Sequence, residues 1–155
     1  MTKPLRREDR QLDNASAMAL LKRGEYGILS TSDKNNRPYG IPVNYVLMED
    51  SIFFHCATEG HKLENITANN GVSFCVVGKT ELIPEKFSTR YESVVVSGRA
   101  DLIKDNVLKK NALRALVAKY APDHIAAGDA YIDKLMDKTT VVRVEIETLA
   151  GKARK

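Results

Sequence analysis

Alternation of apolar and polar positions, more than helical spacing, sets the pattern of this chain. Residues 26–32 (YGILSTS) predict a strand that stops at the polar turn 33–37 (DKNNR). The next stretch, 38–48 (PYGIPVNYVLM), is β-rich but holds Pro42. Proline cannot donate a ladder hydrogen bond, so an edge, a bulge or a ligand is expected at that point. Glu49-Asp50-Ser51 leads directly into 52–57 (IFFHCA), which predicts a hairpin. Three further strands are expected at 72–78 (VSFCVVG), 91–103 (YESVVVSGRADLI) and 139–148 (TTVVRVEIET). Gly98 inside the fifth signals a bulge or a close backbone approach, and residues 79–90, with Pro84, read as a polar connection.

Helical spacing appears in four places. Residues 14–23 (NASAMALLKR) predict a short helix with Asn14 as N-cap and Gly24 as its stop. A second short helix is expected within 58–70, with Leu63 and Ile66 on one face. Residues 106–121 place Leu108, Ala112, Leu113, Leu116, Val117 and Tyr120 at helical spacing before Pro122. A weaker helix follows over 123–137. Six strands joined mostly by turns favour a mainly β fold with peripheral helices, a six-stranded antiparallel barrel, over a doubly wound parallel sheet. No linker or repeat interrupts residues 1–155, so one domain is expected.

Composition narrows the class. With 43% hydrophobic and 28% charged residues, the chain is that of a folded globular protein. The formal charge of +4 resides at the two ends. Residues 1–10 carry Lys3, Arg6, Arg7 and Arg10 against Glu8 and Asp9, and residues 152–155 carry Lys152, Arg154 and Lys155. The remainder is close to neutral, so 1–10 and 150–155 are expected as flexible basic ends and nucleic acid is not expected as a partner. Neither a signal-like apolar run nor a membrane span is apparent, which makes cytoplasm the expected location. Cys56 and Cys75 sit in apolar strands and read as reduced thiols. Three histidines without ligand spacing imply no metal site.

The common dinucleotide and P-loop cradles are missing, as is a nucleophile elbow. The informative segment is 52–66 (IFFHCATEGHKLENI). A strand ends near Ala57, Gly60 makes a turn, and a helix begins at His61. Cations in a first helical turn oppose the unpaired N–H groups there, so His61 and Lys62 are out of place unless an anion joins them. The competing reading is a solvated lysine balanced by Glu59 and Glu64. His55 and Cys56 alternate on the strand, one facing in and the other out. In 38–45, Gly40 and Pro42 free backbone groups for something planar, or else mark a protected edge strand. Glu92 and Ser93 place polar groups at the mouth of a buried valine strand.

Taken together, YGILST, RPYGIPVNYV, FFHCATEGHKLENI, VSFCVV and YESVVVSGRA resemble the FMN-binding split barrels of the pyridoxamine 5′-phosphate oxidase-like family, and among them the nitroimidazole-reductase branch. The similarity spans about residues 24–103 and is most specific from His55 to Leu63 with Asn65. It implies a homodimer with an FMN at each of two subunit interfaces. Gly40, Ile41, Pro42, Val43, Asn44 and Tyr45 would line the isoalloxazine ring and ribityl chain, and His55 and Cys56 would lie beside that chain. His61 and Lys62 would hold the phosphate. Ser93 and Glu92 would approach from the partner subunit.

The departures also carry information. Cys56 stands where the oxidase has a hydroxyl residue, His55 where it has an aromatic one, and the oxidase's carboxy-terminal Arg/His motif has no counterpart. The resemblance therefore implies an FMN-dependent oxidoreductase reducing a small, nitro-aromatic type of acceptor, with NAD(P)H as a donor and His55 as proton donor or substrate orienter, and not pyridoxamine phosphate oxidation. The alternative is a non-catalytic flavin- or haem-binding protein on the same barrel.

Overall fold

The computed structural model describes residues 3–155. A two-residue strand, β1 (Gln11–Leu12), precedes helix α1 (Asn14–Arg23). The cap of α1 is Asp13 rather than Asn14: its carboxylate accepts from the Ser16 N–H at 2.7 Å. Asp33 then shapes the turn between β2 (Gly27–Ser32) and β3 (Pro38–Val43). Its carboxylate accepts from the N–H groups of Asn35 (2.8 Å) and Arg37 (2.9 Å).

The strand expected over 38–48 breaks at Asn44-Tyr45, giving β3 and a separate β4 (Val46–Met48). The cause is Tyr45, whose ring turns fully into the core, edge-on to Phe74, with its hydroxyl donating to the Leu21 carbonyl. β4 pairs through the expected hairpin with β5 (Ser51–Cys56), and α2 (His61–Ala68) follows. β6 (Gly71–Ile83) and β7 (Ser88–Leu102) form one long hairpin. Residues 79–90, expected as a polar connection, are therefore mostly ladder, with a short 3-10 turn at Pro84–Lys86. Beyond α3 (Asn106–Tyr120) and α4 (Ile125–Leu135), β8 runs Thr140–Arg154. It extends past the expected limit of 148, so residues 150–154, expected within a flexible end, pair in register with Tyr91–Val95.

The main path of the sheet is antiparallel, in the order β3-β2-β6-β7-β8-β5-β4, with β1 added against β8. Seven strands, not six, make up this path. Its two edge strands, β3 and β4, are neighbours in the chain, joined only by Asn44 and Tyr45. A link of that length reaches roughly 11 Å at most, so the sheet must curl until its edges meet. The barrel closes through a covalent link where no ladder exists between β3 and β4.

Inside the barrel, Leu29, Phe54, Phe74, Val94, Val96, Val142 and Val144 are buried together with Leu20 and Leu21 of α1. A second cluster lies outside the curl, where Ala112, Leu113 and Leu116 of α3 and Ile132 of α4 cover Val46, Phe53 and Val141. Gly98 performs both tasks expected of it. The register between β7 and β8 shifts there, and any Cβ would collide with the Glu145 carbonyl oxygen.

Candidate functional site

The end of β5, the Asn44-Tyr45 link and the start of α2 meet around one open cavity of about 740 Å³. Tyr26, Pro42, Val43, Asn44, His55, Cys56, Ala57 and Lys62 line it. Strand alternation presents His55 to the cavity while Phe54 enters the core. Gly60 makes the turn that lets α2 start beside them. Its φ of 146° belongs to glycine, and a Cβ there would meet nothing within 4 Å. The space above the start of α2 is therefore open.

No side chain caps α2, and the Gly60 carbonyl accepts from Leu63 and Glu64, both at 3.1 Å. The unpaired N–H groups of the first turn and the Lys62 ammonium can thus serve one anion. His61 lies in the same turn, stacked on Tyr39 with ring centroids 4.1 Å apart. His55 is exposed to the cavity, yet the surrounding walls hold its imidazole below the ordinary histidine pKa. It is neutral at pH 7, able to donate from one nitrogen and accept at the other. Burial pushes the Cys56 thiol up, and the nearby Lys62 charge opposes that only in part. Cys56 therefore contributes a thiol rather than a thiolate at neutral pH.

Of the residues singled out from sequence, Pro42, Val43, Asn44, His55, Cys56 and Lys62 come together here. Gly40 and Ile41 lie on β3 away from the lining, with Ile41 packed against the barrel core. Tyr45 is in the core. Glu92 and Ser93 are on β7. The Glu92 carboxylate is held below its usual pKa, first by Arg23, whose Nη2 donates to both oxygens (2.8 and 2.9 Å), then by the Lys79 N–H at 3.2 Å. Tyr26 and Ala57 were not anticipated. Tyr26 offered one signal, an aromatic directly before β2, and in the structure its side chain is 55% exposed.

A second cavity, about 330 Å³ and largely apolar, shares Asn44 and His55 with the first. Leu113, Leu116 and Val117 of α3 and Tyr131 and Ile132 of α4 supply its walls. The donor set thus suits a planar, partly apolar group bearing an anion, with a smaller apolar space beyond His55. Both cysteines are free. Among the described residues, no three His, Cys, Asp or Glu side chains are placed to hold a metal ion. No helix among them is long and apolar enough to cross a membrane.

Residues 13–153 match the family described as pyridoxamine 5′-phosphate oxidase. No curated protein matches the chain. Among solved structures, a candidate 5-nitroimidazole antibiotic resistance protein from Bacteroides thetaiotaomicron superposes with a TM-score of 0.80 at 23% identity, over 92% of this chain and 86% of its own. The flavocytochrome Anf3 from Azotobacter vinelandii gives 0.86 at 21%, over 99% and 73%. The FAD and heme binding protein from Mycobacterium smegmatis gives 0.82 at 18%, over 94% and 74%. At these identities the likeness is one of fold.

Proposed function

Because the chain belongs to the pyridoxamine 5′-phosphate oxidase family, we propose that it is a flavin-dependent oxidoreductase holding FMN in the larger cavity. The observation that carries this reading is the convergence of Pro42–Asn44, His55–Cys56 and Lys62 at the uncapped start of α2. Bound there, the flavin supplies the redox chemistry. Lys62 and the first-turn N–H groups hold the phosphate, while Pro42, Val43 and Asn44 present backbone and side chain to the ring system. Apolar Leu113, Leu116 and Val117 exclude water from the adjoining space, which takes a small acceptor, of nitro-aromatic type. His55, at the wall common to both spaces and neutral at pH 7, orients the acceptor through a ring N–H hydrogen bond, and passes it a proton only from its minor imidazolium form.

The flavin lies between two copies of the chain in this proposal. Support comes from an outward-facing row across five strands, formed by Pro42, Ile28, Cys75, Val95 and Ala150 in register. Ile28 is 37% exposed and Val95 44%. The row begins at Pro42, which also lines the cavity, so a second copy seated on it would cover the cavity mouth.

A visible spectrum of the purified protein with added FMN tests the reading. A yellow, saturable complex at micromolar FMN is expected, and a colourless protein that takes up none overturns it. Lys62→Ala should weaken FMN by about tenfold or more, the scale of one charge-assisted phosphate contact, and riboflavin far less. Equal weakening of both would remove Lys62 from the phosphate. Repeated turnover of an acceptor with NAD(P)H separates an oxidoreductase from a flavin- or haem-holding protein.

A further inference from the structure

The smaller cavity, between α3, α4 and the barrel wall, is uncharged although both helices carry many charged residues. Leu113, Leu116, Val117, Ile132, Leu135 and Met136 face it, and no Asp, Glu, Lys or Arg lines it. Lys110 and Asp133 pair with each other at 3.0 Å, as do Arg114 and Asp129, away from this space. Lys119 turns its ammonium to the Tyr45 carbonyl at 2.8 Å, although the adjacent Tyr120 lines the cavity. Gly128 lets α4 close on α3 at this wall, since a Cβ there would lie 2.5 Å from Val117 Cγ1.

The polar groups of the cavity are few and mostly committed. The Tyr120 hydroxyl donates to the Glu25 carbonyl at 2.5 Å and accepts from the Tyr45 N–H at 2.9 Å. The Thr139 hydroxyl donates to the Leu135 carbonyl at 3.0 Å. Asn44 and His55 remain, at the wall shared with the larger cavity. An ion entering such a space loses its hydration with no opposite charge to replace it. An uncharged ring gains apolar burial and keeps one hydrogen-bonded end. At about 330 Å³ the cavity lies at the lower end of small-molecule sites, with room for one substituted ring. We propose that it selects an uncharged, single-ring compound, its hydrogen-bond-accepting group toward Asn44 and His55, and turns away compounds bearing a carboxylate or phosphate. The choice of occupant follows from these walls alone, while its role as electron acceptor rests on the flavin reading above.

Equilibrium dialysis of the full-length protein at neutral pH, with and without added FMN, tests the proposal. The probes are 4-nitrotoluene and 4-nitrobenzoate, which differ by a methyl group against a carboxylate. 4-Nitrotoluene should bind, and 4-nitrobenzoate should be weaker by about a hundredfold or more. Ala121→Phe puts a ring into the cavity and should weaken 4-nitrotoluene by about tenfold or more. Met136→Lys offers the carboxylate a partner and should narrow the gap between the two probes by about tenfold or more. Both variants should leave FMN affinity unchanged, because neither residue lines the larger cavity. No binding of 4-nitrotoluene, 4-nitrobenzoate bound as tightly as 4-nitrotoluene, or a 4-nitrotoluene affinity that neither variant moves would each overturn the proposal. A protein that takes up no FMN yet keeps the preference overturns the flavin reading and supports this one.

Discussion

Lys119 shows how a single side chain can be held at a cost. Its ammonium donates to the Tyr45 carbonyl at 2.8 Å and sits 3.8 Å from the centroid of the Tyr45 ring. No carboxylate pairs with it among the described residues, and burial pushes its pKa down to about 8. The unfolded chain therefore binds this proton more tightly than the folded one. Stability associated with Lys119 is full above the ordinary lysine pKa and declines as pH falls through about 8. Between pH 8 and 10, the thermal midpoint of the native protein should thus rise relative to that of Lys119→Met. A difference between the two that does not vary with pH would contradict the account. Tyr120 assists at the same place, its hydroxyl accepting from the Tyr45 N–H at 2.9 Å. Together these residues fix the backbone immediately after Asn44, at the wall shared by both cavities. None of this was legible in sequence, because Lys119 reads as an ordinary polar position on an amphipathic helix.

At the scale of elements, the sequence was most informative where one face of an element is buried. β2 and the central halves of β6 and β7 alternate because a single core lies to one side of them, whereas β5 buries Ile52, Phe53 and Phe54 in succession between the barrel core and the helix-covered cluster. The outer ribbon, 79–90, has solvent on both faces, with Leu82 75% and Phe87 98% exposed. Alternation has nothing to report there, and the ribbon is held instead by its ladder and by the Arg90–Glu81 pair. The break at Asn44-Tyr45 was hidden for the opposite reason: the local pattern continues through it, and contacts distant in sequence, to Leu21, Phe74 and Tyr120, decide the turn. Around the cavity, Pro42 and Lys62 could be named because their chemistry is unusual in place, while Val43, Asn44, His55 and Cys56 were named through the resemblance of the motifs that carry them. Tyr26 and Ala57 have ordinary chemistry and enter by position alone. Gly98 was legible and can be tested. Gly98→Ala would drive a methyl group into the Glu145 carbonyl, so a loss of about 1–3 kcal/mol in denaturant unfolding is expected. A neutral substitution would mean that the bulge between Ser97 and Gly98 can move aside.

For the whole molecule, the proposed dimer would make the outward row of Ile28, Cys75 and Val95 a link between assembly and ligand binding. If two copies meet on this row, one charge at its centre should separate them. Val95→Glu is expected to elute as a monomer and to lose FMN affinity, although residue 95 lines neither cavity. A monomer retaining full affinity would place the flavin within a single chain. Net charge acquires a different meaning at this scale as well. Part of the excess that looked dispersed at the two ends is brought together by the β1–β8 pairing, with Arg10 and Lys152 both beside the Tyr91 hydroxyl.

The position of β8 also bears on how the molecule is made. Although it follows every other strand in sequence, it lies in the interior of the sheet order, between β7 and β5. Until residues 140–154 have been synthesised, β6–β7 and β4–β5 have no strand between them, and each presents an unpaired edge. A nascent chain therefore passes through an interval in which two adhesive edges are open at once, the condition under which strands from different chains pair wrongly. Its yield in the cell depends on how quickly that last strand arrives, and slow translation across residues 125–154 is the interval of greatest hazard.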